Sequence, residues 1–311
     1  MSTVAIVGAG LIGRAWAVVF ARCGWEVRLT DPHPETLADA PRMVRAGLDA
    51  LAEHGIVADP ATAASRVTVA ASLEEAVGGV DLVQENGPEL VDEKRAIFAA
   101  LDRFAPPDAI LASSTSAIVA SLFTEDLPGR ARCLVAHPVN PPHLVPIVEL
   151  CGAPWTSPAT IARAREIYES VEQVPIVVLR EVEGFVLNRL QGALLAEAFR
   201  LVGEGVVSPQ DLDKTIADGL GLRWSFLGPF ATIELNAPGG IADYCARYTG
   251  FYRRLSAEPP RPEVYGAENT ARILAGWGET PSREALTAKT AERDRRLAAL
   301  KAHKRAQSGP R

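Results

Sequence analysis

Gly8-Ala9-Gly10-Leu11-Ile12-Gly13 follows the apolar run Val4 to Val7 directly and opens an apolar segment that continues to about Cys23. A strand, a glycine-rich turn and a helix in that order begin a βαβ unit, which commits the chain to a parallel sheet with helical crossovers. The first glycine permits the tight turn, the second lets backbone approach a pyrophosphate, and the third lets the helix pack closely on the strand. The helix N-terminus then offers unpaired N–H groups and a partial positive charge to phosphates. Asp31 ends the next candidate strand, eighteen residues after Gly13. A carboxylate there accepts hydrogen bonds from the adenine ribose hydroxyls and repels a 2′-phosphate. Pro32, His33 and Pro34 follow, with no arginine to receive such a phosphate, so NAD is expected rather than NADP. The alternative is that Asp31 serves only as a turn residue before Pro32.

The same rhythm continues to about residue 180. Strands are predicted over Val4–Val7, Glu26–Thr30, Val67–Ala70, Leu82–Gln84, Ala109–Ala112, Cys133–Ala136, Val145–Leu150 and Ile176–Leu179, with a paired-helix insertion over Thr36–His54 and Ala61–Ser65. After Glu183 the strand signals stop. Residues 184–204 read as one long helix, Ser208, Pro209 and Asp211 start another, and a charged helix from Ser282 to about Arg305 closes the chain. The expected fold is α/β, a Rossmann-type doubly wound sheet over residues 1–182, followed by an all-helical substrate and dimerisation domain over residues 183–311.

A formal net charge of -6 argues against nucleic acid as a partner, because phosphate binding needs a concentrated basic surface. The basic tail Lys301 to Arg311 reads as a solvated helix end. No stretch is long and apolar enough to cross a bilayer and no leader precedes Val4, so a cytoplasmic protein without a membrane partner is expected. Cys23, Cys133, Cys151 and Cys245 lack metal-ligand spacing, which predicts buried reduced thiols, no metal and no disulfide framework.

Within AHPVNPPHLVPIVEL, residues 136–150, His137 precedes Glu149 by twelve positions across a proline-rich turn. Two side chains on neighbouring strands can face each other as a base and its orienter; the alternative is a strand-end histidine beside a solvated glutamate. Ser113-Ser114-Thr115-Ser116 lies just past the fifth strand, at the sheet end where ligands bind, although serines there also serve as helix caps. Asn188 sits among Phe185, Val186, Leu187 and Leu190, and an amide kept in such company is expected to face a cleft between the domains. Arg223, in GLGLRWSFLGP, is placed to meet a substrate carboxylate with a bidentate guanidinium.

SSTS, HPVNPP, VEL and GFVLNRL together resemble the 3-hydroxyacyl-CoA dehydrogenase superfamily. The longer strings HPVNPPHLVPIVEL, GFVLNRLQGALLAEAFRLVGEGVVSPQDLD and GLRWSFLGPFATIELNAPGGIADYCARY most resemble its L-gulonate 3-dehydrogenase and lambda-crystallin branch. The resemblance implies His137 as general base, Glu149 as its partner, and Ser116 and Asn188 as the groups that hold the reacting oxygen. It also implies backbone contacts to NAD at Leu11 and Ile12, beside Gly8, Gly10 and Gly13, a ribose contact at Asp31, and further cofactor contacts at Glu89 and Lys94. From the residues alone, Glu89 and Lys94 read equally as a surface pair. A homodimer through the helical domain is implied too, in keeping with the apolar string Phe226 to Phe230 and the aromatics Tyr244, Tyr248, Phe251 and Tyr252.

Relatives that act on acyl-CoA meet the CoA phosphates with basic residues on the helical insertion. Here no lysine precedes Lys94 and the insertion carries only Arg42, Arg45 and Arg66. The expected reaction is therefore NAD-dependent oxidation of the 3-hydroxyl of a small acid, of the L-gulonate to 3-dehydro-L-gulonate type. The alternatives are a 3-hydroxyacyl-CoA or L-carnitine dehydrogenase, and, outside enzymes, a structural NAD-binding protein.

Overall fold

The computed structural model describes residues 2–307. The chain runs β1 (Thr3–Val7), α1 (Leu11–Arg22), β2 (Glu26–Thr30), α2 (Pro34–Ala52), α3 (Pro60–Ser65), β3 (Val67–Val69), α4 (Leu73–Val77), β4 (Leu82–Glu85) and α5 (Val91–Phe104). Then come β5 (Ile110–Ser113), α6 (Ser121–Thr124), β6 (Cys133–Pro138), β7 (Ile147–Gly152), α7 (Pro158–Ser170), β8 (Val174–Val178) and α8 (Leu187–Gly203). Among the described residues eight strands form one sheet in the order β3-β2-β1-β4-β5-β6-β7-β8. All eight predicted strands are present, each within about two residues of its expected ends.

Successive residues of a strand point to opposite faces, and both faces of this sheet are covered. Val4 and Ile6 enter one core with Trp16 and Phe20 of α1, while Ala5 and Val7 enter a second with Phe98 and Leu101 of α5. The pairing departs from a wholly parallel sheet at one place. β6 and β7 are antiparallel, because the loop 139–146 is too short to carry the chain back for a parallel crossover.

The sheet and its helices form one compact unit, residues 1–188 and 284–311, and residues 189–283 form a second. This differs from the sequence boundary, since all but the first residue of the closing helix α14 (Arg283–Gln307) group with the first unit. Its Leu297, Ala298 and Ala302 join the α1 core. Nor is the basic tail simply solvated, for Lys301 and Arg305 both donate to the first unit, while the tail's last residues lie outside the described range.

The second unit holds α9 (Pro209–Lys214), α10 (Gly221–Trp224), α11 (Pro229–Glu234), α12 (Gly240–Leu255) and α13 (Ala267–Trp277). Ser208 caps α9 as expected, its Oγ accepting the Asp211 N–H at 3.1 Å. Among the thiols, Cys133 and Cys151 are buried but Cys245 is exposed on α12, contrary to the expectation of four buried ones. No helix among the described residues is long and apolar enough to cross a membrane.

Candidate active site

The glycine-rich turn is built as its spacing requires. Gly8 has φ +94°, in the left-handed region, and a Cβ there would lie 2.8 Å from the Asn86 carbonyl oxygen. A Cβ on Gly13 would lie 1.8 Å from the Gly8 carbonyl oxygen, so only glycine lets α1 start so close to β1. Gly10 is different: its φ is -67° and a Cβ would meet nothing within 4 Å. The chain's own packing does not demand a glycine there, whereas a pyrophosphate seated on the α1 N-terminus does. Leu11, at the head of α1, is 62% exposed, and Ile12 beside it is half-buried. Asp31 accepts the Ala9 N–H at 2.7 Å through Oδ2 and the His33 N–H at 2.8 Å through Oδ1. Oδ1 also lies 3.2 Å from His33 Nδ1, so the further lone pair for a ribose hydroxyl is on Oδ2. These residues fit an NAD adenosine diphosphate.

At the neighbouring strand ends, the register of β6 and β7 sets His137 directly opposite Glu149. His137 Nδ1 lies 2.8 Å from Glu149 Oε2, and both side chains are buried. The other oxygen, Oε1, accepts the N–H groups of Val186 at 2.9 Å and Leu187 at 3.0 Å, at the head of α8. Burial by itself would raise the Glu149 carboxyl, but the hydrogen bonds from His137, Leu187 and Val186 outweigh it and hold the group below the ordinary range. An ionised Glu149 only accepts, so Nδ1 carries the hydrogen and Nε2 is left as a proton acceptor. The imidazole also packs on Phe185, with ring centroids 5.5 Å apart.

Sequence reasoning missed the two backbone donors. The expected helix from residue 184 begins three residues late, at Leu187, because Gly184 (φ +74°) and Phe185 (φ +49°) turn through the left-handed region. That turn delivers the amides to Glu149. Its only sequence signal is Gly184.

Ser116 is exposed and its backbone is held from both sides. Its N–H donates to Glu89 Oε1 at 2.6 Å, and its carbonyl accepts Asn188 Nδ2 at 2.9 Å. Asn188 is thereby brought to Ser116, although its neighbours Val186 and Leu190 are exposed and not buried as expected. Glu89 also accepts the Thr115 hydroxyl at 2.7 Å, so it ties down the loop after β5. Lys94 is not on the surface: its Nζ lies 3.1 and 3.0 Å from the two oxygens of Glu85, with 1% of the side chain exposed. The structure gives this ammonium to Glu85, which also accepts the Ser113 hydroxyl at 2.6 Å. Ser114 is enclosed in a network with Trp16, Gln84 and Asn86. Arg223 belongs to the second unit, where it is exposed on α10.

A buried imidazole with its acceptor nitrogen set by a clamped carboxylate, on a sheet whose first turn is shaped for a dinucleotide, has the parts for removing a hydroxyl proton during hydride transfer. Comparison with known proteins bears on the cofactor and the class of reaction. Residues 3–182 match the model of the NAD binding domain of 3-hydroxyacyl-CoA dehydrogenase, and residues 184–269 match that of its C-terminal domain. The chain is 45% identical to the lambda-crystallin homolog of Bos taurus over 306 residues, covering 96% of this chain and 95% of the relative. It is 37% identical to an L-carnitine dehydrogenase of Streptomyces coelicolor, covering 94% and 91% of the two chains. Among solved structures it resembles 5-formyl-3-hydroxy-2-methylpyridine 4-carboxylic acid 5-dehydrogenase, described as an NAD+ dependent dismutase, with a TM-score of 0.84 and 30% identity across the whole of both chains.

Proposed function

The chain belongs to the 3-hydroxyacyl-CoA dehydrogenase family and is an NAD-dependent oxidoreductase acting on CH–OH groups, and on that premise we propose that its substrate is a small free 3-hydroxy acid of the L-gulonate type. The observation that carries the choice is the state of the insertion's arginines. Arg42 is engaged by Asp39 at 2.8 Å, Arg45 by Asp49 at 2.9 Å, and Arg66 by the carbonyls of Ala21 and Thr62 at 3.3 Å. Arg42 and Arg45 thus each carry a carboxylate already, and a CoA tail with its several phosphates would meet a surface whose positive charge is partly neutralised.

In this reading His137 Nε2 accepts the proton of the 3-hydroxyl, and Glu149 stabilises the imidazolium that forms. Ser116 and Asn188 hold the oxygen in line, and Arg223 meets the substrate carboxylate. Bound NAD supplies the hydride acceptor. Gly8, Gly10, Gly13 and the Leu11 and Ile12 amides seat its pyrophosphate, Asp31 takes the ribose, and Glu89 adds a contact beside Ser116. Lys94 reaches the cofactor only by leaving Glu85.

The second unit supports a homodimer. Between residues 189 and 283 only Thr232 and Ala237 are buried, while Trp224, Phe226, Phe230, Phe251 and Tyr252 are all more than 40% exposed. A helical unit with so little core of its own is completed by a second copy of the same apolar surface. Sedimentation equilibrium measures that assembly directly, and a monomer at micromolar concentration would refute it.

The substrate assignment is tested by following NADH formation with L-gulonate, L-3-hydroxybutyrate, L-carnitine and 3-hydroxybutyryl-CoA. Highest kcat/KM on L-gulonate is expected; turnover of the CoA ester alone overturns the assignment.

A further inference from the structure

The last helix among the described residues, α14, reaches the loop that joins β6 to β7 through Lys301. Residues 139–146 leave β6 after Pro138 and enter β7 at Ile147, so their conformation governs how His137 meets Glu149. Part of that loop is fixed locally. The N–H groups of Leu144 and Val145 both donate to the Pro141 carbonyl at 3.0 Å, and Leu144 is 5% exposed. The His143 carbonyl instead takes its donor from α14: Lys301 Nζ lies 2.8 Å away, across 158 residues of sequence. Beneath this contact Ala298 is buried in the same core as Leu144, Ala136 and Val148. One helical turn later, Arg305 donates to the Ile56 carbonyl at 3.3 Å and to Glu172 Oε1 at 3.1 Å. Lys301 and Arg305 are four residues apart and share a helix face, so α14 grips three separate segments of the first unit.

Lys301 is an unfavourable residue for mere packing at this place. Burial and the nearby Arg22 and Arg305 guanidiniums bring its pKa down to about 7, with Glu172 and Cys23 acting the other way. An apolar side chain would fill the space without desolvating an ammonium. What only the lysine adds is a donor to the loop carbonyl.

We infer that α14 is a strap across the β6–β7 loop and that Lys301 is a positioning residue for His137 and Glu149, acting through the His143 carbonyl. The inference rests on the assignment of these two side chains as the base and its orienter. Full-length Lys301→Met removes the donor and keeps most of the stem, and Lys301→Arg keeps a donor. Lys301→Met should lower kcat by about five- to tenfold, the worth of one hydrogen bond, with KM for NAD unchanged. Hydrogen exchange at the Leu144 and Val145 amides should quicken by a similar factor, roughly fivefold or more. Lys301→Arg should stay near the parent in both measurements. Parental kcat and exchange in Lys301→Met, or a Lys301→Arg that falls as far as Lys301→Met, would overturn the strap. Should Lys301→Met fail to fold, Lys301→Gln, whose shorter amide does not reach the carbonyl, is put through the same two measurements. Absence of turnover by the parent on every hydroxy acid tells against the base assignment alone, because amide exchange still reports on the strap.

Discussion

Glu149→Gln isolates the chemistry of the clamped carboxylate with almost no change in volume. Oε1 holds the Val186 and Leu187 amides and Oε2 faces His137 Nδ1, so the glutamine has two ways to sit. Turning its NH2 toward the two backbone amides would oppose donors to donors and leave both N–H groups buried without acceptors, at about 1–3 kcal/mol each. The amide oxygen therefore stays with Val186 and Leu187, and the NH2 points at His137. Nδ1 must then accept, and Nε2 carries the hydrogen and stops being a base. The imidazolium also loses its anion. A general base is worth roughly 10²–10⁴ in rate, about 3–5 kcal/mol, and a fall in kcat of that size is expected. The assay is initial-rate NADH formation with the preferred acid, together with KM for NAD, which should hold because Glu149 makes no contact with the glycine turn. A kcat within about threefold of the parent would refute the tautomer argument.

Three further outcomes follow from local geometry. Gly13→Ala places a Cβ 1.8 Å from the Gly8 carbonyl oxygen, so NAD affinity measured by calorimetry should drop at least tenfold (about 1.4 kcal/mol or more), with a lowered Tm. Lys94→Met leaves Glu85 buried and unpaired, and urea unfolding should show a loss of about 3–5 kcal/mol; a change near zero would mean that the ammonium is not committed to Glu85. His143 is held down to about 4 from 6.5 by burial, with Lys301, Arg22 and Arg293 adding to it. Its unfolded form takes up a proton first, so its contribution to stability is complete above pH 6.5 and is lost as pH falls from there to about 4. The drop in Tm between neutral and acid pH should be smaller in His143→Leu.

The parts of the site that follow one another along the chain were legible in sequence, and the parts assembled by backbone were not. The glycine turn announces itself because three positions each forbid a side chain or leave room for a ligand. His137 and Glu149 were legible because a proline-rich turn between two apolar runs brings strand ends together. The Val186 and Leu187 amides carry no side-chain signal, and a left-handed Phe185 is not expected from its residue type. Lys94 read as a surface residue because nothing local shows that Glu85, nine positions earlier, is buried beneath it. The return of α14 was hidden for a related reason: its one fully buried apolar residue is the small Ala298, and the charged residues around it read as a solvated helix.

Four acids of this chain share one role that their separate assignments conceal. Asp31 accepts from Ala9, Glu85 from Gly87, Glu89 from Ser116, and Glu149 from Val186 and Leu187, each through a backbone N–H. Each acceptor therefore fixes a connecting segment at the ligand end of the sheet, where loops carry function on a rigid scaffold. Replacing flexible loops with loops tied by carboxylates lowers the ordering that substrate and cofactor must impose on binding. It also makes the geometry around His137 depend on one carboxylate that hydrogen bonds hold ionised below the ordinary range, Glu149, whose grip on Val186 and Leu187 is lost only as pH falls through that lowered value. The stability this carboxylate contributes is complete above its ordinary value of 4.5 and is lost as pH falls through the lowered one, so the fall in Tm on acidification should be smaller in Glu149→Gln than in the parent, and an equal fall would show that the carboxylate is not held ionised.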